Sequence, residues 1–257
     1  MNMRRRALTT WVFGVAAILG LPAASFAQVK VIMSGGFSAA YRELLPEFEK
    51  ATGITVTTTS GASQGSEPNT IGAQLRRGVP ADVVIMSREG LDDLIAEGRI
   101  ATGTDLDLAR TPLGMSVRAG APKPDISTVE AFKQTMLRAN SVTFPNSTTG
   151  IYLKTKLFPQ LGIADQMAAK ITASGVAAVA KGEAEIAVQP VSELLHAAGV
   201  DFVGTIPPEI QYVSVFAAAM VAGSKEPDAS KRLIAFLTSE KAAAGIKRSG
   251  MEPSRSR

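Results

Sequence analysis

Apolar positions along the chain switch between two rhythms. Residues 29–33 form a short apolar run that ends in Ser34-Gly35-Gly36, as a buried strand entering a turn would. Tyr41, Leu44, Leu45 and Phe48 then recur at i, i+3, i+4 and i+7, the stripe of an amphipathic helix, and Gly53 stops it. Residues 54–59 are rich in β-branched side chains and predict a second strand. A polar Gly/Ser loop, 60–69, leads to a helix over 71–76, a strand over 83–86 and a helix over 91–96. This βαβαβα order predicts a parallel sheet with right-handed crossovers.

Beyond Arg110 the pattern restarts. Residues 113–117 read as a strand, followed by a Pro/Gly segment at 119–124. Helices are expected over 129–137, 152–158, 176–181 and 191–198, with strands at 141–144 and 186–188. Residues 210–221 are extended and apolar, and two helices, 228–238 and 242–248, close the chain. An α/β protein of two lobes accounts for this order. The first lobe takes residues 28–110 and 220–257, the second takes 111–219, and two hinge crossings let a cleft close on a small ligand. One continuous doubly wound domain is the competing architecture.

Composition narrows the chemistry. Of 257 residues 46% are hydrophobic, enough for packed cores, and there are no cysteines and one histidine. Disulfides, thiolate metal sites and cysteine nucleophiles are therefore excluded, and a Ser-His-Asp triad could form only around His196. Arg4, Arg5 and Arg6 precede an apolar run, 11–21, and small residues at Ser25 and Ala27. That pattern predicts an export signal over 1–27, cleaved near Ala27, and a periplasmic product; an N-terminal membrane anchor is the alternative. Its removal takes three arginines from 27 basic groups and none of 23 acidic ones, leaving 24 against 23. A net charge of +1 offers no footprint for nucleic acid. No later apolar run is long enough to span a membrane.

Ligands of parallel α/β lobes sit beyond the carboxyl ends of strands, at helix N-termini. The loops there combine glycine with hydroxyls: Ser34-Gly35-Gly36-Phe37-Ser38, Ser60-Gly61-Ala62-Ser63-Gln64, Asn146-Ser147-Thr148-Thr149-Gly150 and Ser174-Gly175. Backbone N–H groups and helix dipoles at such loops suit a small anion, although each loop alone also reads as an ordinary N-cap or turn. Neither GxxxxGK[ST] nor GxGxxG occurs.

The stretches "KVIMSGGFSAAYRELLPEFEKATGITV", "GVPADVVIMS" and "GIKRSGMEP" resemble the periplasmic molybdate-binding family of ABC transporters along nearly the whole mature chain. The resemblance implies a type 2 periplasmic binding fold, no cofactor or metal, a monomer, and an ABC permease as partner if the chain is a receptor. Gly36 and Phe37 stand where molybdate binders place a serine, Ser63 falls at their second serine, and Gln189 replaces a tyrosine. Glu67 adds a carboxylate to the widened loop, which disfavours an oxyanion held by neutral donors. "SGGF", "GASQGSEPNTIGAQLRRGVPADVVIM" and "NSTTGIYLKTKLFPQLGI" resemble instead a subgroup that handles tricarboxylates, aconitate isomerases among them. That likeness implies an allylic proton shift between trans- and cis-aconitate.

Such chemistry needs a cation for carboxylates and an acid–base group. Arg88, at the end of the third strand, is the expected carboxylate clamp, or else a solvated surface arginine. Glu67 and Tyr152 are the expected proton-transfer candidates, with exposed-loop and buried-core roles as their alternatives. Gly35, Gly36, Phe37, Ser38, Ser63, Gln64, Ser147, Thr148, Thr149, Gly150, Ser174 and Gln189 complete the expected ligand set. His196, two turns into its helix, is expected to be structural. An isomerase and a transport receptor remain open; a purely structural exported domain is disfavoured.

Overall fold

The computed structural model describes residues 27–172 and 175–254; the expected export segment up to Phe26 and the candidate Ser174 lie outside them. The first half runs β1 (Gln28–Met33), a 3₁₀ turn (Gly35–Phe37), α1 (Ser38–Thr52), β2 (Thr55–Ser60), α2 (Ile71–Arg76), β3 (Val83–Ser87) and α3 (Arg88–Ala96). Then follow β4 (Leu106–Arg118), α4 (Val129–Arg138), β5 (Val142–Thr143), α5 (Thr148–Tyr152), a π-helical turn (Leu153–Leu157), α6 (Phe158–Gln160), α7 (Ala164–Ala168) and α8 (Val176–Ala180). The chain ends with β6 (Ile186–Pro190), α9 (Val191–Leu194), β7 (Val200–Thr205), a 3₁₀ turn (Pro208–Ile210), β8 (Val213–Met220), α10 (Pro227–Leu237), α11 (Glu240–Arg248) and β9 (Glu252–Pro253).

The described strands hydrogen-bond in the order β2-β1-β3-β8-β4-β6-β5, with β7 and β9 also on β4. β1 pairs parallel with β2 and β3, as the βαβ pattern requires. The expectation of parallel sheets stops there. β8 runs antiparallel to both β3 and β4, and β6 and β7 run antiparallel to β4, so that only β5 and β6 pair in parallel in the second half. The reason is length: β4 has 13 residues, about 40 Å at strand rise, and serves both halves of the sheet. Its Leu108 and Ala109 pack in one apolar core while Leu113, Met115 and Val117 pack in another.

Both halves are covered on two faces. In the first, the buried stripe of α1 (Tyr41, Leu44, Phe48) meets α10 and α11 over one side, and Ile71, Leu75, Leu91 and Leu94 from α2 and α3 cover the other. Each such large apolar side chain removed from water contributes about 1.5–3 kcal/mol. In the second, Phe132, Leu153, Leu157, Phe158 and Met167 form the main core, and Ala178, Val179 and Leu194 back the opposite face. Phe216 to Ala219 of β8 pack with the first half, inside the span expected to belong to the second lobe. The fold is thus two-lobed α/β, with β4 and β8 carrying the chain across.

The strands β7 and β9 and the helix α7 have no counterpart in the sequence reading, and one helix start is shifted. β7 is half-buried along most of its length, so it has neither alternation nor a continuous apolar run to mark it. The helix expected from residue 152 begins at Thr148 and widens into a π-turn, where the Phe158 N–H bonds to the Leu153 carbonyl. Pro159 follows immediately; it lacks an N–H, and its ring crowds the carbonyl four residues back.

Candidate functional site

Strand ends and helix starts of both lobes face a shared cleft of about 860 Å³. From the first lobe come Ser34, Gly35, Gly36, Ser38 and Arg42, then Ser63 and Glu67, then Ser87. The second supplies Asn146, Ser147, Thr148 and Thr149, then Gly175 and Val176, then Gln189, Ser192, Glu193 and His196. A smaller cavity, about 490 Å³, lies within the second lobe beside Arg118 and Arg138.

Most of the helices that start at this cleft, α1, α5, α8 and α9, have no side-chain cap at the N-terminus, whereas Thr70, Ser87 and Thr128 cap α2, α3 and α4. Open first-turn N–H groups and the positive ends of the longer helices favour an anion between them. α1 contributes most, with 15 residues.

Glycine at 35 and 36 has a steric reason. A Cβ at Gly36 would stand 1.9 Å from the Phe216 ring, and one at Gly35 would stand 3.2 Å from Glu193 Oε1. The serine of molybdate-type loops therefore has no room at position 36 here. Ser63 is nearly buried, and its Oγ accepts a 2.9 Å bond from the Ser87 N–H, which leaves its own proton for a ligand.

Hydrogen bonds tie the lobes across the cleft. The Gln64 N–H donates to Ser147 Oγ (3.2 Å), Thr148 Oγ1 donates to Gln64 Oε1 (3.1 Å), and Ser87 Oγ and Thr148 Oγ1 share a 2.9 Å bond. Asn146 Nδ2 donates to Glu67 Oε1 (3.4 Å), and Ser192 Oγ donates to the Gly36 carbonyl (2.7 Å). Lys154 donates to Asn146 Oδ1 at 3.1 Å.

Several expected residues take other places. Arg88 turns away from the cleft to Asp105 and Asp107, which, against the opposing effect of burial, raise its pKa. Opposite charge on its own lobe captures it, so it is no clamp in this geometry. The Tyr152 ring stacks on Tyr212 at 4.8 Å and its hydroxyl donates to the Ile210 carbonyl, outside the cleft lining; desolvation raises its pKa. Phe37 is fully buried in the first core. Gln64 contributes to the lobe contacts, and Gly150 allows the chain to pass the Pro145 carbonyl, since a Cβ there would lie 2.4 Å from it. Gly35, Gly36, Ser38, Ser63, Glu67, Ser147, Thr148, Thr149 and Gln189 do line the cleft.

Sequence reading missed Arg42 and Glu193, and it set His196 aside. Arg42 lies one turn past Ser38 and is exposed at the cleft wall; that i, i+4 spacing was available as a signal. His196 also lines the cleft, with Nε2 2.8 Å from the Arg248 carbonyl. Glu193 sits in the first turn of α9. Desolvation pushes its carboxyl up, and a hydrogen bond from Gln189 partly offsets that rise.

A two-lobed α/β fold in which helix starts of both lobes converge on a shared cleft defines the architecture of a binding protein. Residues 29–252 match the bacterial extracellular solute-binding proteins, and the chain belongs to that family. It is 41% identical over 237 residues to an aconitate isomerase from a Pseudomonas species, covering 91% of this chain and 90% of that protein. Among solved structures it resembles the periplasmic molybdate-binding protein of Azotobacter vinelandii (TM-score 0.71, 22% identity, 87% of this chain and 98% of the other). It also resembles the sulfate-binding protein of Mycobacterium tuberculosis (TM-score 0.67, 18% identity, 88% and 87%). Among the described residues no helix is long and apolar enough to cross a membrane.

Proposed function

We propose that this chain is a periplasmic aconitate isomerase built on a solute-binding fold, interconverting trans- and cis-aconitate by an allylic proton shift. The observation that carries the reading is the 41% identity to an aconitate isomerase, which extends over nine-tenths of both chains. The cleft is consistent with a compact tricarboxylate: first-turn amides of uncapped starts at Gly35 and at Thr148 and Thr149, hydroxyls at Ser34, Ser63 and Ser147, and the Arg42 guanidinium at the wall. Preorganised N–H donors of this kind stabilise charge that develops on a carboxylate as a neighbouring C–H is broken. Glu67 is exposed in the cleft lining, where its bond to Asn146 spans the lobes.

NMR of purified protein with trans-aconitate tests this directly, with growth of the cis isomer as the expected result. No conversion anywhere between about pH 5 and 9, the range in which ordinary acid–base groups titrate, removes the reading.

A transport receptor is the second reading, favoured by the likeness in fold to molybdate- and sulfate-binding proteins. It calls for tight binding of a small anion without turnover, and for delivery to an ABC permease. A thermal-shift panel of aconitates, citrate, tricarballylate, molybdate and sulfate separates the ligand classes, because only ligands of the folded state raise Tm, and binding without turnover favours the receptor.

A further inference from the structure

The deepest carboxyl in the cleft belongs to neither glycine loop. Glu193 is half-buried on α9, in the second lobe, yet its Oε1 lies 3.2 Å from where a Cβ on Gly35 of the first lobe would stand. Glycine at 35 therefore admits this carboxyl to the place where the first loop meets a ligand. Its other oxygen, Oε2, accepts a hydrogen bond from Gln189 Nε2, which fixes the group's orientation.

Two further polar atoms nearby await a partner. Ser34 Oγ and Gln189 Oε1 are buried without a hydrogen bond, on side chains only 5% and 3% exposed that both line the cleft. A buried polar group left unmade costs about 1–3 kcal/mol, so this corner is built to be completed by something polar. The other acid–base side chains of the lining, Glu67 and His196, are exposed at the rim and already paired with Asn146 and the Arg248 carbonyl.

We propose that Glu193 is the proton-transfer residue, moving a proton between the two ends of the allylic system of a bound unsaturated tricarboxylate. The inference rests on the isomerase reading. As carboxylate, Glu193 takes a proton from the methylene carbon, and the C–H electron pair becomes the new C=C bond. The old C=C pair moves to the far carbon, which accepts a proton from the Glu193 carboxyl. Nothing is oxidised or reduced, and substrate and product have one formula. Desolvation gives Glu193 a greater proton affinity than a carboxylate in water, which suits it to both halves of the step. Ser34 Oγ is placed to donate to a substrate carboxylate, and Gln189 keeps Glu193 aimed at the methylene.

The test compares wild type, Glu193→Gln and Glu193→Asp, reading turnover of trans-aconitate and exchange of its methylene protons by NMR in D2O, with affinity by calorimetry. Glu193→Gln is expected to bind within about threefold of wild type while losing turnover and exchange by about 10²–10⁴-fold. Glu193→Asp is expected to recover part of both. Turnover in Glu193→Gln within a few-fold of wild type overturns the role of Glu193 and leaves the isomerase reading standing. Wild type that binds but neither converts nor exchanges substrate overturns the isomerase reading, and this role with it. If Glu193→Gln does not fold, Glu193→Asp decides: unchanged kcat with only a shifted KM overturns the assignment.

Discussion

Gly36 has Phe216 where a side chain would go, so position 36 admits no serine without repacking. Gly36→Ser is expected to destabilise the fold by about 1–3 kcal/mol through overpacking, read as a lower urea midpoint at unchanged slope. Two carboxyls set opposite pH dependences. Burial alone would raise Asp82. Bonds from the Lys30 N–H (2.9 Å), Ser224 Oγ (2.8 Å) and the Lys225 N–H (2.9 Å) outweigh it and hold the carboxyl below its ordinary range. Its contribution is present above the unfolded-state pKa and is lost as pH falls through the depressed value; Asp82→Asn removes that acid-side slope and costs about 1–3 kcal/mol. Glu193 is raised, so ligand-free protein binds more protons folded than unfolded between the two pKa values. Stability then falls as pH rises through that window, and urea unfolding of Glu193→Gln at several pH values is expected to show this slope removed.

At the scale of elements, contacts between lobes matter more than any single loop. Ser192, at the start of α9, is buried and reaches the Gly36 carbonyl, bringing the two helix-start regions together. Ser192→Ala leaves that carbonyl short of a partner. It is expected to lower stability by about 1 kcal/mol and to speed ligand release, seen as a larger koff in stopped-flow displacement with kon little changed. Period and punctuation made β1, α1, β3, α4 and α10 legible, because each buries one clear face or run. β7 was not legible because its side chains are neither clearly inside nor outside. Strand direction was not legible either: β4 and β8 read locally as apolar runs, and nothing in such a run says which way it pairs.

At the scale of the whole molecule, the cleft has two walls, one from each lobe. Saturation with trans-aconitate at about 100 times Kd is expected to add about 2.7 kcal/mol to unfolding, visible as a concentration-dependent rise in Tm. Arg42 is the exposed cation at the cleft wall. Arg42→Ala is expected to weaken tricarboxylate binding about tenfold at low salt and less at high salt, where counterions already screen an exposed charge. Calorimetry at two ionic strengths checks both parts.

Hydrophobic period, glycine punctuation and hydroxyl-rich strand ends determined most of the elements, the two-lobed class and several of the loops that line the cleft, because those depend on neighbours a few residues apart. Arg88 shows the limit of that reading: its strand-end position was legible, but its aspartate partners, on β4 and just before it, were decided only when the chain folded. The approach of Glu193 to Gly35, and of Ser192 to a carbonyl 156 residues away, likewise depends on how β4 and β8 cross between the cores. Burial, and with it the proton affinity of a carboxyl, is a property of that packing and is encoded at no single position.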